Sequence, residues 1–176
     1  VRLAFRVSLP PGLGSGERIP AVFECTRYGT EEKQTFLLKV LLRLRVAKTV
    51  HHADFADAAN AAGYAFVAVD ARGSGASFGT RPMELSREEV EDLGGIVDWI
   101  ASRPWSNGKV ASYGESYSGN TAEVAAASGR PALRAAAPLY PDFDPVMHNA
   151  IPFGVLNAAL VDGWSASNLR MDANAL

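Results

Sequence analysis

Tyr113-Gly114-Glu115-Ser116-Tyr117-Ser118-Gly119 is the stretch on which the reading of this chain turns. It follows a short strand predicted over residues 109–113. It opens onto an Ala-rich helix predicted to include residues 121–128, which Gly129 and Pro131 stop. A serine on so sharp a strand-to-helix turn stands with its hydroxyl exposed above the sheet and the helix N-terminus beneath it. Small residues at Gly114, Ser118 and Gly119 suit a turn that forces close backbone contact. The usual spacing is Gly-x-Ser-x-Gly, whereas here the second glycine falls one place late and Ser118 takes its position. The competing reading is an ordinary helix start that uses Ser and Gly as caps.

The segments on either side set this turn in an α/β pattern. Ala65–Asp70 is a short continuous apolar run, as expected of a strand buried on both faces of a parallel sheet. Residues 86–103 are the clearest helix: Ser86 and Glu89 form a capping box, Val90, Leu93, Val97 and Ile100 recur on one face, and Pro104 ends it. Leu133–Leu139 reads as a further apolar strand. Towards the start, residues 1–9 alternate as a half-buried strand, and Ile19–Thr26 forms a second strand after the Pro10-Pro11-Gly12 turn. Residues 54–62 are predicted as a helix with Asp54 as N-cap and Gly63 as stop. Residues 31–48 favour a helix, although part of them alternates like a strand. Strand–helix–strand–helix–strand means a doubly wound, mostly parallel sheet with right-handed crossovers. From Tyr140 the pattern breaks into a Pro- and Asp-rich irregular stretch, so residues 1–140 are expected to form one α/β unit and 141–176 the start of an inserted lobe.

Composition narrows the function. The chain has 176 residues, 48% of them apolar and 20% charged, which is room for one domain with a full core. Its formal charge of −2 gives no basic excess, so a nucleic-acid binder is not expected. Cys25 is the single cysteine, which leaves no internal disulfide or Cys-based zinc cluster, and His51, His52 and His148 include no pair at helical metal-ligand spacing. No apolar run is long enough to span a membrane. The chain starts at Val1 without an initiator methionine, so a fragment or processed piece is expected and localisation stays open. A homo-oligomer is left open as well.

Two further segments bear on chemistry. Asp70-Ala71-Arg72-Gly73-Ser74-Gly75 is not a dinucleotide-binding loop, because its third glycine, Gly79, comes too late and Thr80-Arg81-Pro82 does not continue as a helix. It is expected to be a strand-end turn held by an Asp70–Arg72 salt bridge. Glu24-Cys25-Thr26-Arg27-Tyr28-Gly29 follows a strand and by itself says little.

Together with Pro104-Trp105-Ser106-Asn107-Gly108-Lys109-Val110, and with Glu91-Asp92-Leu93 through Asp98-Trp99-Ile100, these segments resemble the CocE/NonD hydrolases, the group of cocaine esterase and the X-Pro dipeptidyl-peptidases (peptidase S15). The resemblance runs from about Val1 to Leu176. It implies an α/β-hydrolase fold whose C-terminal part is missing here, and an elbow of the form Gly-x-Ser-Tyr-x-Gly, which Gly114 to Gly119 fits. By resemblance Ser116 is the nucleophile, the Tyr117 backbone N–H is one oxyanion donor and the Tyr28 hydroxyl is the second. Where the family often has proline before that tyrosine, this chain has Arg27.

The implied reaction is acyl transfer on a small-molecule ester or peptide-like amide, with no cofactor and no metal. It also needs a histidine base and an acid, which in such hydrolases follow the serine in the order Asp/Glu, then His. Asp142, Asp144 and His148 satisfy that order formally. The resemblance nevertheless puts the acid and base beyond residue 176 and assigns Asp144 and His148 to the stretch entering the cap. The alternative reading is a truncated, non-catalytic α/β module that binds or assembles.

Overall fold

Phe23, Val67, Val69 and Val110 have almost no exposed surface, and the sheet they belong to carries the site. The computed structural model describes residues 1–30 and 52–172. Through them run the strands β1 (Phe5–Ser8), β2 (Ile19–Thr26), β3 (Ala65–Asp70), β4 (Ser106–Glu115) and β5 (Leu133–Leu139). They lie side by side in the order β1-β3-β2-β4-β5. The pairs β2–β3, β2–β4 and β4–β5 are parallel, and only the edge strand β1 is antiparallel, against β3.

The helices among these residues are α1 (His52–Ala61), α2 (Arg87–Ala101), α3 (Tyr117–Val124) and α4 (Ala158–Asp172). Every residue of β3 is buried, as its unbroken apolar run requires when both faces of a strand are covered. On one face Phe66 and Ala68 pack with Ala59, Phe55 and Val22, which seats α1. On the other face Phe23, Cys25, Val67 and Val69 meet Leu93, Ile96, Val97 and Ile100 of α2 and Tyr117 at the start of α3. The capping box is present: Glu89 N–H donates to Ser86 Oγ, and Ser86 N–H donates to Glu89 Oε2 at 3.1 Å. Trp99 stacks on Phe5 with ring centroids 4.5 Å apart, and the Trp105 carbonyl accepts from Ile19 N–H at 2.9 Å.

The chain is thus an α/β-hydrolase-like fold with a doubly wound, mostly parallel sheet. Several boundaries differ from the sequence reading. The strand predicted over residues 109–113 spans Ser106–Glu115, because Ser106, Asn107 and Glu115 join a ladder that their polar side chains conceal. The predicted helix at 121–128 starts at Tyr117 and tightens into a 3₁₀ turn over Ala125–Ser128. Helix α1 already runs through Asp54, which is therefore not its N-cap. Strand β5 is exposed along Arg134 to Ala137 despite its apolar sequence. The stretch at 31–48 lies outside the described residues. After Tyr140 come a π-helical turn (Pro145–Ala150), a 3₁₀ turn (Pro152–Gly154) and α4. Among the described residues no helix is long and apolar enough to cross a membrane.

The strand order fixes where a site can form. From β2 the chain crosses to β3 on one side, and from β3 it crosses back over β2 to reach β4 on the other. The carboxyl ends of β2 and β4 therefore flank a topological switch point, where open α/β sheets bind their ligands.

Candidate active site

Ser116 follows the last residue of β4 and holds the N-cap position of α3 with φ 59° and ψ −124°, a conformation costly for a residue with a side chain. Its own N–H donates to the Leu139 carbonyl at 3.0 Å, and its carbonyl accepts from Asn120 N–H at 2.9 Å. Its side chain makes no capping bond to the helix, although serine is a favoured cap. The hydroxyl is thus left free for something else, and this rejects the reading of an ordinary serine-capped helix start.

The displaced glycine has a structural reason. A Cβ on Gly114 would lie 2.2 Å from the Ser118 carbonyl oxygen, and one on Gly119 would lie 2.4 Å from the Leu139 carbonyl oxygen. The turn therefore needs glycine at these two places, where backbone meets backbone, and tolerates a side chain at Ser118.

Tyr28 is brought to this turn from the end of β2. Its hydroxyl lies 3.3 Å from Ser116 Oγ, and the ring is about four-tenths exposed (39%). The loop that carries it is tied down on both sides. Tyr28 N–H donates to Thr26 Oγ1 at 3.1 Å, and Thr30 N–H donates to Asp70 Oδ1 at 2.6 Å. Asp70 Oδ2 also accepts from Ala76 N–H at 2.8 Å, so this buried carboxylate joins the loop after β2 to the loop after β3. The expected Asp70–Arg72 salt bridge is not formed. Arg72 instead donates two bonds to Asp92 on α2, at 2.6 and 2.8 Å, because the turn aims it away from Asp70. The Asp92 hydrogen bond is strong enough to outweigh the cost of burial and raise the arginine's pKa above its ordinary value.

Tyr117 is held from several sides. It is 2% exposed, its hydroxyl donates to Glu89 and accepts from Arg81 Nη1 at 2.9 Å, and its ring meets the Tyr28 ring edge-on at 6.3 Å. Burial first, and then the neighbouring Glu89 carboxylate, push its phenol pKa far up, so it stays a neutral donor. The guanidinium carbons of Arg27 and Arg81 lie 5.5 and 5.4 Å from the ring centroid, within cation–π range. Burial opposes the charge on Arg81. The Tyr117 oxygen and the Glu89 and Asp172 carboxylates outweigh it and hold the pKa above the ordinary value.

A cavity of about 710 Å³ opens over Ser116 and Tyr117, with Trp164 and Leu160 of α4 on its far wall. Sequence reasoning identified Ser116, Tyr117 and Tyr28, and the structure brings all three together. It did not assign Arg81 or Asp172, which touch the site, and it read Glu89 only as a helix cap. The pattern Thr80-Arg81-Pro82 held no signal of its own, because pairing with Tyr117 is visible only once the fold is closed.

Of the later acidic residues and the histidine, Asp142 lines this cavity with its carboxylate held by two asparagines, and Asp144 and His148 are engaged elsewhere. Asp142 accepts from Asn120 Nδ2 at 3.2 Å and from Asn149 Nδ2 at 2.6 Å. Asp144 Oδ1 caps the π-helical turn by accepting from Val146 and Met147 N–H at 3.0 and 2.9 Å. His148 is exposed and stacks on Phe143 at 5.9 Å between ring centroids. Glu115, at the end of β4, is exposed. Among the described residues no cluster of three His, Cys, Asp or Glu could hold a metal ion.

A positive-φ serine on a sharp turn between a parallel strand and a helix is the strand–turn–helix arrangement of the α/β hydrolases. The family model of X-Pro dipeptidyl-peptidase (S15 family) matches residues 1–175, and the chain belongs to that family. A protein of Mycobacterium bovis that bears the name of a serine esterase is 42% identical over 181 residues, covering all of this chain and 28% of its own length. Cocaine esterase of Rhodococcus is 37% identical over 108 residues, covering 59% of this chain and 18% of its own. Among solved structures, a CocE/NonD family hydrolase of Staphylococcus aureus superposes with a TM-score of 0.77 at 23% identity, over 97% of this chain and 31% of that one. An α-amino acid ester hydrolase gives 0.62 at 27%, over 85% and 24%. The chain thus spans little more than a quarter of the curated mycobacterial relative's length.

Proposed function

We propose that this chain carries the nucleophile and oxyanion hole of a serine hydrolase acting on esters or peptide-like amides. The observation that supports this most is Ser116 itself: it holds the strained N-cap position without capping the helix, and its hydroxyl meets Tyr28 at 3.3 Å. Ser116 Oγ attacks the substrate carbonyl carbon and gives its proton to a general base. The carbonyl oxygen becomes an oxyanion that accepts from the Tyr28 hydroxyl and the Tyr117 backbone N–H. The bond to the leaving alcohol or amine then breaks, the base returns the proton to it, and water releases the acyl group from Ser116. The names of the relatives agree with this reading, since they include a serine esterase and cocaine esterase.

The base and its orienting acid are proposed to come from outside residues 1–176. Asp142 and Asp144 are committed to Asn side chains and to a turn, and His148 stacks on Phe143. Residues 1–140 are accordingly proposed as part of the catalytic domain and 141–176 as the start of a helical cap, whose α4 walls the cavity over Ser116.

The test is labelling of the natively produced polypeptide by a fluorophosphonate, followed by peptide mapping. Labelling at Ser116, with Ser116→Ala lowering ester turnover by roughly 10⁴–10⁶-fold, is the expected result. A folded, full-length polypeptide that takes no label would overturn the proposal and favour a non-catalytic binding module.

A further inference from the structure

Arg27 and Arg81 have side chains only 2% and 3% exposed, and both reach the same carboxylate, Asp172 at the end of α4. Arg27 Nη2 donates to the two oxygens of Asp172 at 3.1 Å each, and Arg81 Nη2 donates to Oδ1. Each arginine also belongs to one arm of the site. Arg27 immediately precedes Tyr28 in the chain. Arg81 donates to the Tyr117 hydroxyl at 2.9 Å, and the Tyr117 ring lies against both guanidiniums. The two proposed oxyanion donors, a side-chain hydroxyl from the loop after β2 and a backbone N–H from the elbow, thus share one counter-ion on the helix that walls the cavity.

We infer that Asp172, acting through Arg27 and Arg81, is a positioning residue that sets the two arms of the oxyanion hole relative to each other and to the cap. The inference rests on the hydrolase reading above. One observation and one property of the guanidinium group support a positioning role over a purely cohesive one. Each arginine has a second carboxylate, Glu84 for Arg27 and Glu89 for Arg81, so Asp172 is not needed to neutralise either charge. A guanidinium is planar and rigid, so the carboxylate that holds the Nη2 ends of both arginines limits where each group can lie. An ion pair to α4 also does for the Tyr28 loop what the stiffness of a proline at position 27 would do locally. Here, however, the constraint comes from the cap.

The experiment compares Asp172→Asn and Asp172→Glu with wild type in the natively produced full-length polypeptide, normalised to active sites titrated with a fluorophosphonate. Three numbers are read: kcat and KM on an aryl ester, and the inhibition constant of phenylboronic acid, whose tetrahedral serine adduct places an oxygen in the oxyanion hole. Asp172→Asn is expected to lower kcat per titrated site and to weaken phenylboronic acid in parallel, by on the order of 10–100-fold, the scale of a small misplacement of catalytic groups. KM is expected to stay within about twofold. Asp172→Glu, which keeps the charge, is expected to fall between the two, and it carries the test if Asp172→Asn does not fold. Unchanged kcat and boronate affinity per titrated site would overturn the inference, as would a rise in KM alone. Ser116→Ala separates the two proposals: turnover surviving in that variant removes the hydrolase reading itself, whereas an inactive Ser116→Ala beside a wild-type-like Asp172→Asn removes only the role of Asp172.

Discussion

Glu89 receives the hydroxyl of Tyr117 while capping its own helix, so one carboxylate ties the first turn of α2 to the residue that follows Ser116. One of its oxygens accepts from the Ser86 backbone N–H, and the other accepts from the Tyr117 hydroxyl and from Arg81 at 3.4 Å. A cap that is usually a local device of one helix here reaches across the core to the elbow.

This arrangement predicts strong coupling between Glu89 and Tyr117. Tyr117→Phe removes one donor from a buried carboxylate and is expected to cost about 1–3 kcal/mol. Glu89→Gln leaves buried Arg81 with one carboxylate fewer and should cost more, about 3–5 kcal/mol at most, because Asp172 still faces the guanidinium. Urea denaturation of both single variants and the double variant checks this. The double-mutant cycle should return a coupling of roughly 0.5–3 kcal/mol. Additive effects would mean that the two groups do not share a network.

Two glycines, one in the elbow and one on α2, give predictions of opposite sign. Gly119→Ala puts a methyl group against the Leu139 backbone carbonyl, which cannot yield as a flexible side chain would, and an overpacking cost of about 1–3 kcal/mol is expected. Gly95 sits on the exposed face of α2 with nothing near the place a Cβ would occupy. Gly95→Ala should therefore stabilise the chain by about 0.5–1 kcal/mol. Thermal melting of the two variants, in opposite directions from wild type, is the check.

Much of this was legible in the sequence, and the reason differs by element. Strands β2, β3 and β5 were predicted to the residue because proline, glycine or a charged residue lies at or within two residues of each end of their apolar runs. The Ser86–Glu89 cap was readable because a capping box is local. The start of α3 was not, because Tyr117 to Asn120 lack the usual helix formers and are held by burial under the sheet's carboxyl edge. Ser116 and Tyr28 were reached through a resemblance of motifs. Their 3.3 Å contact spans 88 positions and depends on β2 and β4 being neighbours, which no periodicity reports. The partners of Asp70 and Arg72 were misread for the same reason. A salt bridge two residues apart looks natural in sequence, yet the turn sends one group to Thr30 and Ala76 and the other to Asp92.

Stability should fall in alkali, beginning near ordinary thiol and phenol values. Cys25 is buried, and desolvation, followed by Glu89 and Asp92, pushes its pKa far above the usual 9.0. Tyr117 is likewise raised from 10.0, chiefly by burial. In both cases the folded chain holds a proton that the unfolded chain releases, so above pH about 9 the unfolded state gains relative to the folded one as pH rises. Urea midpoints from pH 7 to 11 should be flat with respect to these groups up to about pH 9 and decline beyond it. In the same window native Cys25 should resist a disulfide-exchange reagent and react only on unfolding, since the thiolate is the reactive form. Rapid labelling of the folded chain at pH 8 would show that the thiol is more accessible than its burial implies.

Removing the Tyr28 hydroxyl separates its proposed catalytic role from its place in the loop. Tyr28→Phe keeps the ring that meets Tyr117 edge-on, and the Thr26 and Asp70 bonds that hold the loop involve only backbone N–H groups of Tyr28 and Thr30. The fold and the substrate cavity should therefore survive. On the proposed mechanism, what is lost is one donor to an oxygen whose negative charge develops on the way to the tetrahedral intermediate, so the effect belongs in kcat and not in KM. The expected loss is about 10²–10³ in kcat, the cost of deleting one oxyanion donor. Fluorophosphonate labelling should slow as well, because the phosphoryl oxygen passes through the same hole. A variant with raised KM and unchanged kcat would make Tyr28 a substrate-binding residue, and the second oxyanion donor would then have to be sought elsewhere along the carboxyl edge of the sheet.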